Sequence, residues 1–233
     1  RKFKQLITEG KFEEASEIGR HQVHGGAHIL DVCLQDPDRD ETADITKFLA
    51  MLIRKVKVPL MLDSTDPKVI EEALKQTPGK CIINSVNLED GEERLKEVVP
   101  IVKRFGAALI VGCIDDDKQQ AQAITRERKL DIARRSYKLL TENYGVQPDD
   151  IIFDPLVFPA GTGDENYSRS GVETIEGVRL IKQEFPRAKT ILGISNVSFG
   201  LPPAGREVLN SVMLYHCIQA GLDAAIINSE RMM

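Results

Sequence analysis

Short apolar runs alternate with longer amphipathic segments along almost the whole chain, and this alternation limits the possible folds more than any other feature of the sequence. The runs are continuous and rich in Ile, Val and Leu, which is typical of strands buried on both faces of a parallel sheet. The segments between them carry apolar residues at steps of three and four, which is typical of helices. The runs predict seven strands, at residues 27–34, 59–64, 81–87, 108–114, 151–155, 190–197 and 223–229.

Repeated strand–helix units of this kind form either an open doubly wound sheet or a closed barrel. Residues 3–18 have helical spacing with no strand before them, so an eighth strand upstream of residue 1 is the simplest completion. We therefore expect an α/β fold, a (β/α)8 TIM-type barrel without its first strand, as a single domain over residues 1–233. We also expect a helix that begins after Asp66 with Pro67 in its first turn, and a longest helical stretch over residues 119–144.

Composition excludes several classes of protein. The 233 residues include 31 Lys and Arg against 36 Asp and Glu, a formal net charge of −5, without the basic stripe that nucleic-acid-binding domains carry. No apolar run approaches the roughly 18 residues of a membrane span, and the first residues lack the apolar core of a signal peptide. There is no C-x-x-C pair among the four cysteines, Cys33, Cys81, Cys113 and Cys217. Three of them, all but Cys217, lie in apolar strand-like runs, which predicts buried thiols in a reducing, cytoplasmic protein.

Polar residues recur at or near the ends of the predicted strands. In a barrel these ends meet at one mouth, where active sites are built, so we expect the polar side chains to converge. The alternative for each position is a capping role at the next helix. A segment over residues 155–171, with two Pro and three Gly, predicts a binding loop at the same mouth. The polar positions are Asp31, Asp63, Asn84, Asp154, Ser195, Asn196 and Asn228.

The chain contains no dinucleotide-binding, P-loop or hydrolase-elbow motif. His21, His24 and His28 are separated by Gly25-Gly26 and cannot share one helical face, so we expect no metal site. What remains is a mouth rich in Asp and Asn. A carboxylate can accept two parallel hydrogen bonds from an amino-pyrimidine edge while an Asn donates and accepts at another edge. This chemistry suits a pterin or a guanine, and composition does not separate the two.

Five blocks of the sequence resemble the pterin-binding methyltransferase family, and within it the folate-binding domains of cobalamin-dependent methionine synthases. The resemblance covers almost the whole chain and implies a (β/α)8 barrel. Family members have a strand with a Gly-Glu-Arg-x-Asn type motif upstream of the position of Arg1, so the resemblance also implies a piece of a larger multidomain enzyme. The blocks are LDVCLQ (30–35), PLMLDST (59–65), CIINSVN (81–87), IIFDPLVF (151–158) and GISNVSFGLP (193–202).

The resemblance also assigns roles to single residues. It implies that Asn196 lies beside N5 of the pterin as the catalytic residue and that Asp154 binds the amino-pyrimidine edge. It implies further substrate contacts by Asp63, Asn84, Gly193, Ser198 and, toward the benzoyl-glutamate part, Arg206. Cys33 departs from the family, which often has Asn there. We expect Cys33 to be a buried strand residue, because free cysteine is usually buried.

The function that the resemblance implies is binding of 5-methyltetrahydrofolate and presentation of its N5-methyl group to cob(I)alamin on another domain or subunit, as in methionine synthesis from homocysteine. It implies a cobalamin-binding domain and a homocysteine-binding domain as partners. From composition and residue pattern we expect no nucleic acid, membrane or bound metal. The enzyme alternatives are a corrinoid iron–sulfur protein methyltransferase and a dihydropteroate synthase-like enzyme; the non-enzyme alternative is a folate-binding module. Dihydropteroate synthases typically have a Ser-Arg-Lys type motif on a late strand, where this chain reads Ile194-Ser-Asn-Val197. This difference favours methyl transfer over the condensation that dihydropteroate synthases catalyse.

Overall fold

A computed structural model describes residues 2–160, 162, 167 and 169–228. Strands and helices alternate after two initial helices. The helices are α1 (Lys2–Thr8), α2 (Phe12–His24), α3 (Glu41–Leu52), α4 (Pro67–Gln76), α5 (Glu93–Phe105), α6 (Arg126–Lys138), α7 (Ser170–Glu184) and α8 (Pro203–Ala220). The strands are β1 (Leu30–Val32), β2 (Leu60–Asp63), β3 (Ile82–Val86), β4 (Ala108–Gly112), β5 (Ile151–Asp154), β6 (Lys189–Gly193) and β7 (Ala224–Ile226).

Sheet order follows chain order in both groups of strands, β1–β2–β3 and β4–β5–β6–β7, and every described pairing is parallel. Parallel neighbours joined by helices are the arrangement predicted from the alternation of apolar runs, so the α/β class is confirmed. The chain divides into two compact units, Arg1–Ser85 with Pro100–Ala108, and Val86–Val99 with Leu109–Met233. The eighth strand and the single domain remain predictions.

The core of the first unit lies between one face of β1–β3 and the helices α2, α3 and α4. Alternate strand residues point to opposite faces, and on the helix-facing side Leu30, Leu62 and Ile83 are all buried. Helix α3 packs against both α2 and α4. The close packing of α2 against α3 depends on Gly19, because a Cβ atom at this position would lie 2.6 Å from Cδ1 of Leu52 in α3.

The second unit is built around β4–β7, with α6, α7 and α8 packed in sequence order. The registers place Gly112 beside Asp154 and Gly193 beside Ile226. Leu192, Met213 and Cys217 belong to its apolar core. Because β5 and β6 are parallel neighbours, the residues that follow their carboxyl ends emerge at the same edge of this unit.

Local sequence signals located some helix ends correctly. The Asp66 carboxylate accepts a hydrogen bond of 2.8 Å from the backbone N–H of Lys68, and Pro67 is the first helical residue of α4. The stretch predicted over residues 119–144 instead begins at Arg126, because Thr125 caps the helix and Asp115 and Asp117 bind backbone N–H groups in turns before it. A π-helical turn, Leu139–Asn143, continues it.

Several strand predictions were too long. The strand predicted over residues 190–197 ends at Gly193 and is followed by a 3-10 helix, Ile194–Ser198. The strand predicted over 27–34 is reduced to Leu30–Val32. Parts of two predictions lie outside the described residues, namely residue 229 and, in the predicted loop, residues 161, 163–166 and 168. Within the described part of the chain, no helix is both long and apolar enough to cross a bilayer.

Candidate functional site

In the first unit, the face of β1–β3 opposite the helices carries the Asp and Asn residues of these strands. Asp63 and Asn84 are direct register partners, and Asp31 is paired with Met61, two residues before Asp63. Residues two apart on a strand share a face, so Asp31, Asp63 and Asn84 all project from the same side of the sheet. The structure therefore brings together the predicted substrate residues Asp63 and Asn84 and adds Asp31 to them.

The carboxylates of this face are hard to ionise together. Burial, with a smaller contribution from the negative charge of Asp63, raises the pKa of Asp31 to about 6, although part of the Asp31 side chain reaches solvent. Burial also raises the pKa of Asp63, and a hydrogen bond from the Cys33 thiol opposes that shift. The face thus presents two carboxyl groups of raised pKa, and the negative charge of Asp63 disfavours ionisation of Asp31.

The prediction that Cys33 is buried is wrong, since its side chain is exposed. Cys33 lies two residues after Asp31 and so belongs to the polar face, whereas the neighbours Val32 and Leu34 are buried on the opposite side. The short strand β1 is buried on one face only, whereas a continuous apolar run predicts burial on both faces. Cys81 and Cys113 are buried as predicted, and Cys217 is buried as well.

In the second unit, Asp154 is the last residue of β5. Its Oδ1 accepts a hydrogen bond of 2.9 Å from the backbone N–H of Leu156, and its Oδ2 has no hydrogen-bond partner among the described residues. Burial raises the pKa of Asp154 to about 6, while the N–H of Leu156 and the positive charge of Lys129 oppose the shift. Asp154 is therefore a desolvated carboxyl group with one oxygen held and the other available to a ligand.

The 3-10 helix Ile194–Ser198 presents Asn196 at the edge where β6 ends. Ile194 and Val197 are buried and anchor this turn, whereas Ser195 and Asn196 are exposed. A Cβ atom at Gly193 would lie 3.3 Å from Nδ2 of Asn196, so the glycine leaves room for the amide. The next helix, α8, has Pro202 at its N-cap and no side-chain capping hydrogen bond, so the capping role considered for Asn196 is not observed.

Ser198 is fully buried, and its hydroxyl is occupied within the protein. It donates to the carbonyl oxygen of Ser195 at 3.1 Å and accepts from Nε of Arg206 at 3.2 Å. Arg206 also donates to the Ser195 carbonyl oxygen at 3.5 Å. These contacts tie α8 to the turn that carries Asn196, and the predicted contacts of Ser198 and Arg206 with substrate remain predictions.

Arg206 borders a cavity of about 340 Å³ in the second unit. Glu207 and Asn210 line the same cavity and were not singled out from the sequence. The helical spacing of four residues that places Asn210 on the same side as Arg206 was the available signal. The full lining is Ser195, Pro203, Arg206, Glu207, Asn210, Ile226, Ile227 and Asn228.

One backbone contact joins the segment after β5 to the segment after β6. The N–H of Ala160 donates to the carbonyl oxygen of Val197 at 2.9 Å. This contact, together with the parallel pairing of the two strands, places the Asp154 segment and the Asn196 turn at one edge of the second unit. In the described part of the chain, no cluster of His, Cys, Asp and Glu has the arrangement of a metal site.

The sequence model of the pterin binding enzyme family matches residues 1–228, almost the entire chain. The chain belongs to the pterin binding enzyme family. Two of its relatives are the methionine synthases of Mycobacterium tuberculosis and Mycobacterium leprae, which are 39% and 38% identical to it over 99% of its length. The alignment covers 19% of each of these relatives, so this member of the family corresponds to about a fifth of their length.

Solved structures establish the fold of this pterin binding enzyme independently. The dihydropteroate synthase from Thermus thermophilus matches 94% of this chain and 85% of its own, with a TM-score of 0.69 at 21% identity. A dihydropteroate synthase from Xanthomonas albilineans matches 94% of this chain and 81% of its own, with a TM-score of 0.68 at 14% identity. At these identities the likeness concerns the fold alone, and it confirms the TIM-type class that the repeated strand–helix units predicted.

Proposed function

We propose that this chain binds 5-methyltetrahydrofolate and presents its N5-methyl group for transfer to cob(I)alamin carried by another domain or subunit. Membership of the pterin binding enzyme family supports the pterin, and identity of 38–39% to methionine synthases supports methyl transfer. The observation that carries the proposal is the state of Asp154, a desolvated carboxyl group with one oxygen fixed by Leu156 and one available.

Asp154 accepts hydrogen bonds from the amino-pyrimidine edge of the pterin. With a pKa of about 6, it is mostly ionised at neutral pH, yet it is poorly solvated. Hydrogen bonds to such a group are stronger than in water because less water competes and the local dielectric is low. Asp63 and Asn84 are proposed as further pterin contacts on the basis of the sequence resemblance.

Asn196 assists departure of the methyl group. A tertiary amine is a poor leaving group, so N5 must gain a proton or a strong hydrogen bond before the carbon–nitrogen bond breaks. The Asn196 amide does not titrate, but its carbonyl oxygen can accept a hydrogen bond from protonated N5 or hold the water that delivers the proton. Its exposure beside Gly193 leaves the amide available to a ligand. Cob(I)alamin, when supplied, is the nucleophile that accepts the methyl group.

Arg206 is proposed to bind the benzoyl-glutamate part of the folate. It borders the 340 Å³ cavity, and its guanidinium can pair with a carboxylate. Gly193 and Ser198 are proposed to shape the same loop, Gly193 by leaving room for Asn196 and Ser198 through its bonds to Ser195 and Arg206.

The rest of the activity is proposed to depend on other parts of the protein. The chain has no D-x-H-x-x-G corrinoid motif, so the cobalamin-binding and homocysteine-binding domains are proposed as separate partners. The matched region is 19% of the length of these relatives, which leaves room for such domains. The location we propose is the cytoplasm.

Calorimetric titration with methyltetrahydrofolate and with GTP, followed by single-turnover methyl transfer to added cob(I)alamin, tests the proposal. We expect folate binding, no GTP binding, and demethylation of the folate only after cob(I)alamin is added. Binding of GTP alone would indicate a guanine-binding module. Folate binding without methyl transfer would indicate a folate-binding module, and condensation of a pterin pyrophosphate with p-aminobenzoate would indicate a dihydropteroate synthase-like enzyme.

A further inference from the structure

Lys129 of α6 is a fully buried lysine that no role described so far uses. Its Nζ donates to three backbone carbonyl oxygens, those of Ala123 at 2.8 Å, Pro155 at 2.5 Å and Leu156 at 3.2 Å. It has no ion pair in the described part of the chain. An ammonium group has three N–H donors, and here all three are used on main-chain acceptors.

Two of these acceptors belong to the residues directly after Asp154. Leu156 has a positive φ of 67°, a backbone conformation that residues other than glycine rarely adopt. The backbone N–H of Leu156 donates the hydrogen bond that holds Oδ1 of Asp154. Its carbonyl oxygen receives a second hydrogen bond, of 3.0 Å, from the buried hydroxyl of Thr174. Lys129 from α6 and Thr174 from α7 thus hold the same peptide group from two sides.

The packing around Lys129 is adapted to its side chain. Helix α7 has Gly177 opposite it, where a Cβ atom would lie 2.6 Å from Cδ of Lys129. The ring of Phe158 lies 5.1 Å from Nζ, within range of a cation–π interaction. Burial lowers the pKa of Lys129 to about 8, because the charged ammonium group loses its hydration inside the protein. An apolar side chain at this position would not have this desolvation cost. A buried cation without an ion pair destabilises the folded state. Two of the three hydrogen bonds that Lys129 makes are to the residues directly after Asp154.

We propose that Lys129 is a positioning residue for Asp154: its ammonium group fixes the carbonyl groups of Pro155 and Leu156 and so orients the Asp154 carboxylate toward the pterin. This inference rests on the proposed contact between Asp154 and the pterin. The positive charge has a second effect, since it lowers the pKa of Asp154 against the effect of burial. Lys129 itself does not touch the ligand.

Lys129→Met, which keeps the length of the side chain and removes the charge and donors, tests the inference. We expect affinity for methyltetrahydrofolate to fall by about 10–100-fold, the range for losing a charged hydrogen-bonding group, and the pKa of Asp154, measured by carboxyl NMR titration, to rise. In an Asp154→Ala background, Lys129→Met should cause no further loss of affinity. The matched control is Lys182→Met, because Lys182 also donates to a backbone carbonyl, that of Ala188, but lies away from this turn.

The outcomes separate this inference from the proposed function. If the wild-type chain binds no folate, the proposed function fails, and the NMR titration still tests the action of Lys129 on Asp154. A folded Lys129→Met protein with an unchanged Asp154 pKa, or with unchanged folate affinity where the wild type binds, overturns the inference. If Lys129→Met does not fold, Thr174→Val replaces it: faster hydrogen exchange at the Leu156 amide and weaker folate binding support the inference, and wild-type values for both overturn it.

Discussion

Arg206 donates a hydrogen bond of 3.2 Å from Nε to the hydroxyl oxygen of Ser198, and that hydroxyl donates in turn to the carbonyl oxygen of Ser195. The buried serine therefore connects the first turn of α8 to the 3-10 helix that carries Asn196. Ser198 and Arg206, which the sequence resemblance assigns to substrate binding, thus also hold in place the turn that carries Asn196. Substitution of a side chain that binds the ligand should lower folate affinity, whereas substitution of one that holds the binding loop should mainly lower the free energy of unfolding.

Ser198→Ala should lower the free energy of unfolding by about 1 kcal/mol, because Arg206 and the Ser195 carbonyl oxygen each lose a hydrogen-bond partner. Folate affinity should fall only modestly, through loosening of the Asn196 turn. Chemical denaturation and calorimetric titration measure the two effects. Thr141→Val, which removes a hydroxyl bound to the Tyr137 carbonyl oxygen, is a control that should affect stability without affecting affinity. A large loss of affinity at unchanged stability would instead indicate direct substrate contact by Ser198.

Asp154→Asn should weaken folate binding by roughly 1.5–3 kcal/mol, because the amide removes the charge that strengthens hydrogen bonds to the amino-pyrimidine edge. The amide oxygen can still accept from the N–H of Leu156, so the turn is retained. Asp154→Ala should lose the binding as well, with little loss of stability. Isothermal titration of the two folded variants makes the comparison. Wild-type affinity in both would remove Asp154 from the site.

The pH dependence of stability should differ between the wild type and Asp154→Asn. Burial raises the pKa of Asp154 from 3.8 to about 6, so between these values the folded state binds a proton that the unfolded state does not. Stability contributed by this group is therefore present at low pH and is lost as the pH rises from about 4 to 6, by on the order of 3 kcal/mol. The difference in unfolding free energy between the two proteins, followed from about pH 4 to 7, measures it. A difference that is constant over that range would contradict the raised pKa.

Asn196→Ala should slow methyl transfer to added cob(I)alamin by about 10²–10³-fold, equivalent to roughly 2.7–4 kcal/mol. Folate affinity should fall by less than the rate, because the contact strengthens as N5 gains a proton. The melting temperature should change little, since the Asn196 side chain is exposed and the next helix, α8, has Pro202 and not Asn196 at its N-cap. Single-turnover kinetics on the folded variant provide the measurement. A normal rate would remove the catalytic assignment.

Gly193→Ala should slow methyl transfer by displacing the Asn196 amide, since the added methyl group would lie 3.3 Å from its Nδ2. The backbone φ of −77° at Gly193 accepts alanine, so the fold should be retained. Gly205→Ala is the matched control, because the new methyl group there makes an ordinary contact of 3.9 Å with Leu201, and alanine in a helix should stabilise by about 0.5–1 kcal/mol. Equal rates for both variants would show that the position of the Asn196 amide does not matter.

Much of the fold follows from local patterns in the sequence. Continuous apolar runs marked all seven strands, and Asp66 with Pro67 marked the start of α4. Strand ends were less accurate because apolar character continues past the last strand hydrogen bond: Ile194 and Val197 are as buried in the 3-10 helix as they would be in a strand. Similarly, α6 was predicted to begin too early, since the spacing of apolar residues does not report the side-chain caps and turns before Arg126.

In the candidate site, too, some residues could be predicted from local sequence patterns and others could not. The recurrence of Asp and Asn at strand ends singled out Asp63 and Asn84 in the first unit and Asp154 and Asn196 in the second, because within a parallel sheet neighbouring strands end at the same edge. Nothing local indicated that Cys33 is exposed or that Glu207 lines the cavity beside Arg206, and for Asn210 the only local signal was its spacing of four residues from Arg206. Those facts depend on which face of a strand or helix another element covers.

By itself, the sequence determined the alternation of strands and helices, the parallel class of the sheet and the strand ends at which polar residues recur, because all three depend on periodicity and short-range spacing. Tertiary structure alone decided that Lys129 is buried with its three donors on backbone carbonyl oxygens, that Ser198 is enclosed, and that Asp154 has one oxygen held and one available. The physical reason is that desolvation and hydrogen bonding join residues far apart in the chain, here α6 and α7 with the segment after β5, and these pairings leave no mark on local spacing.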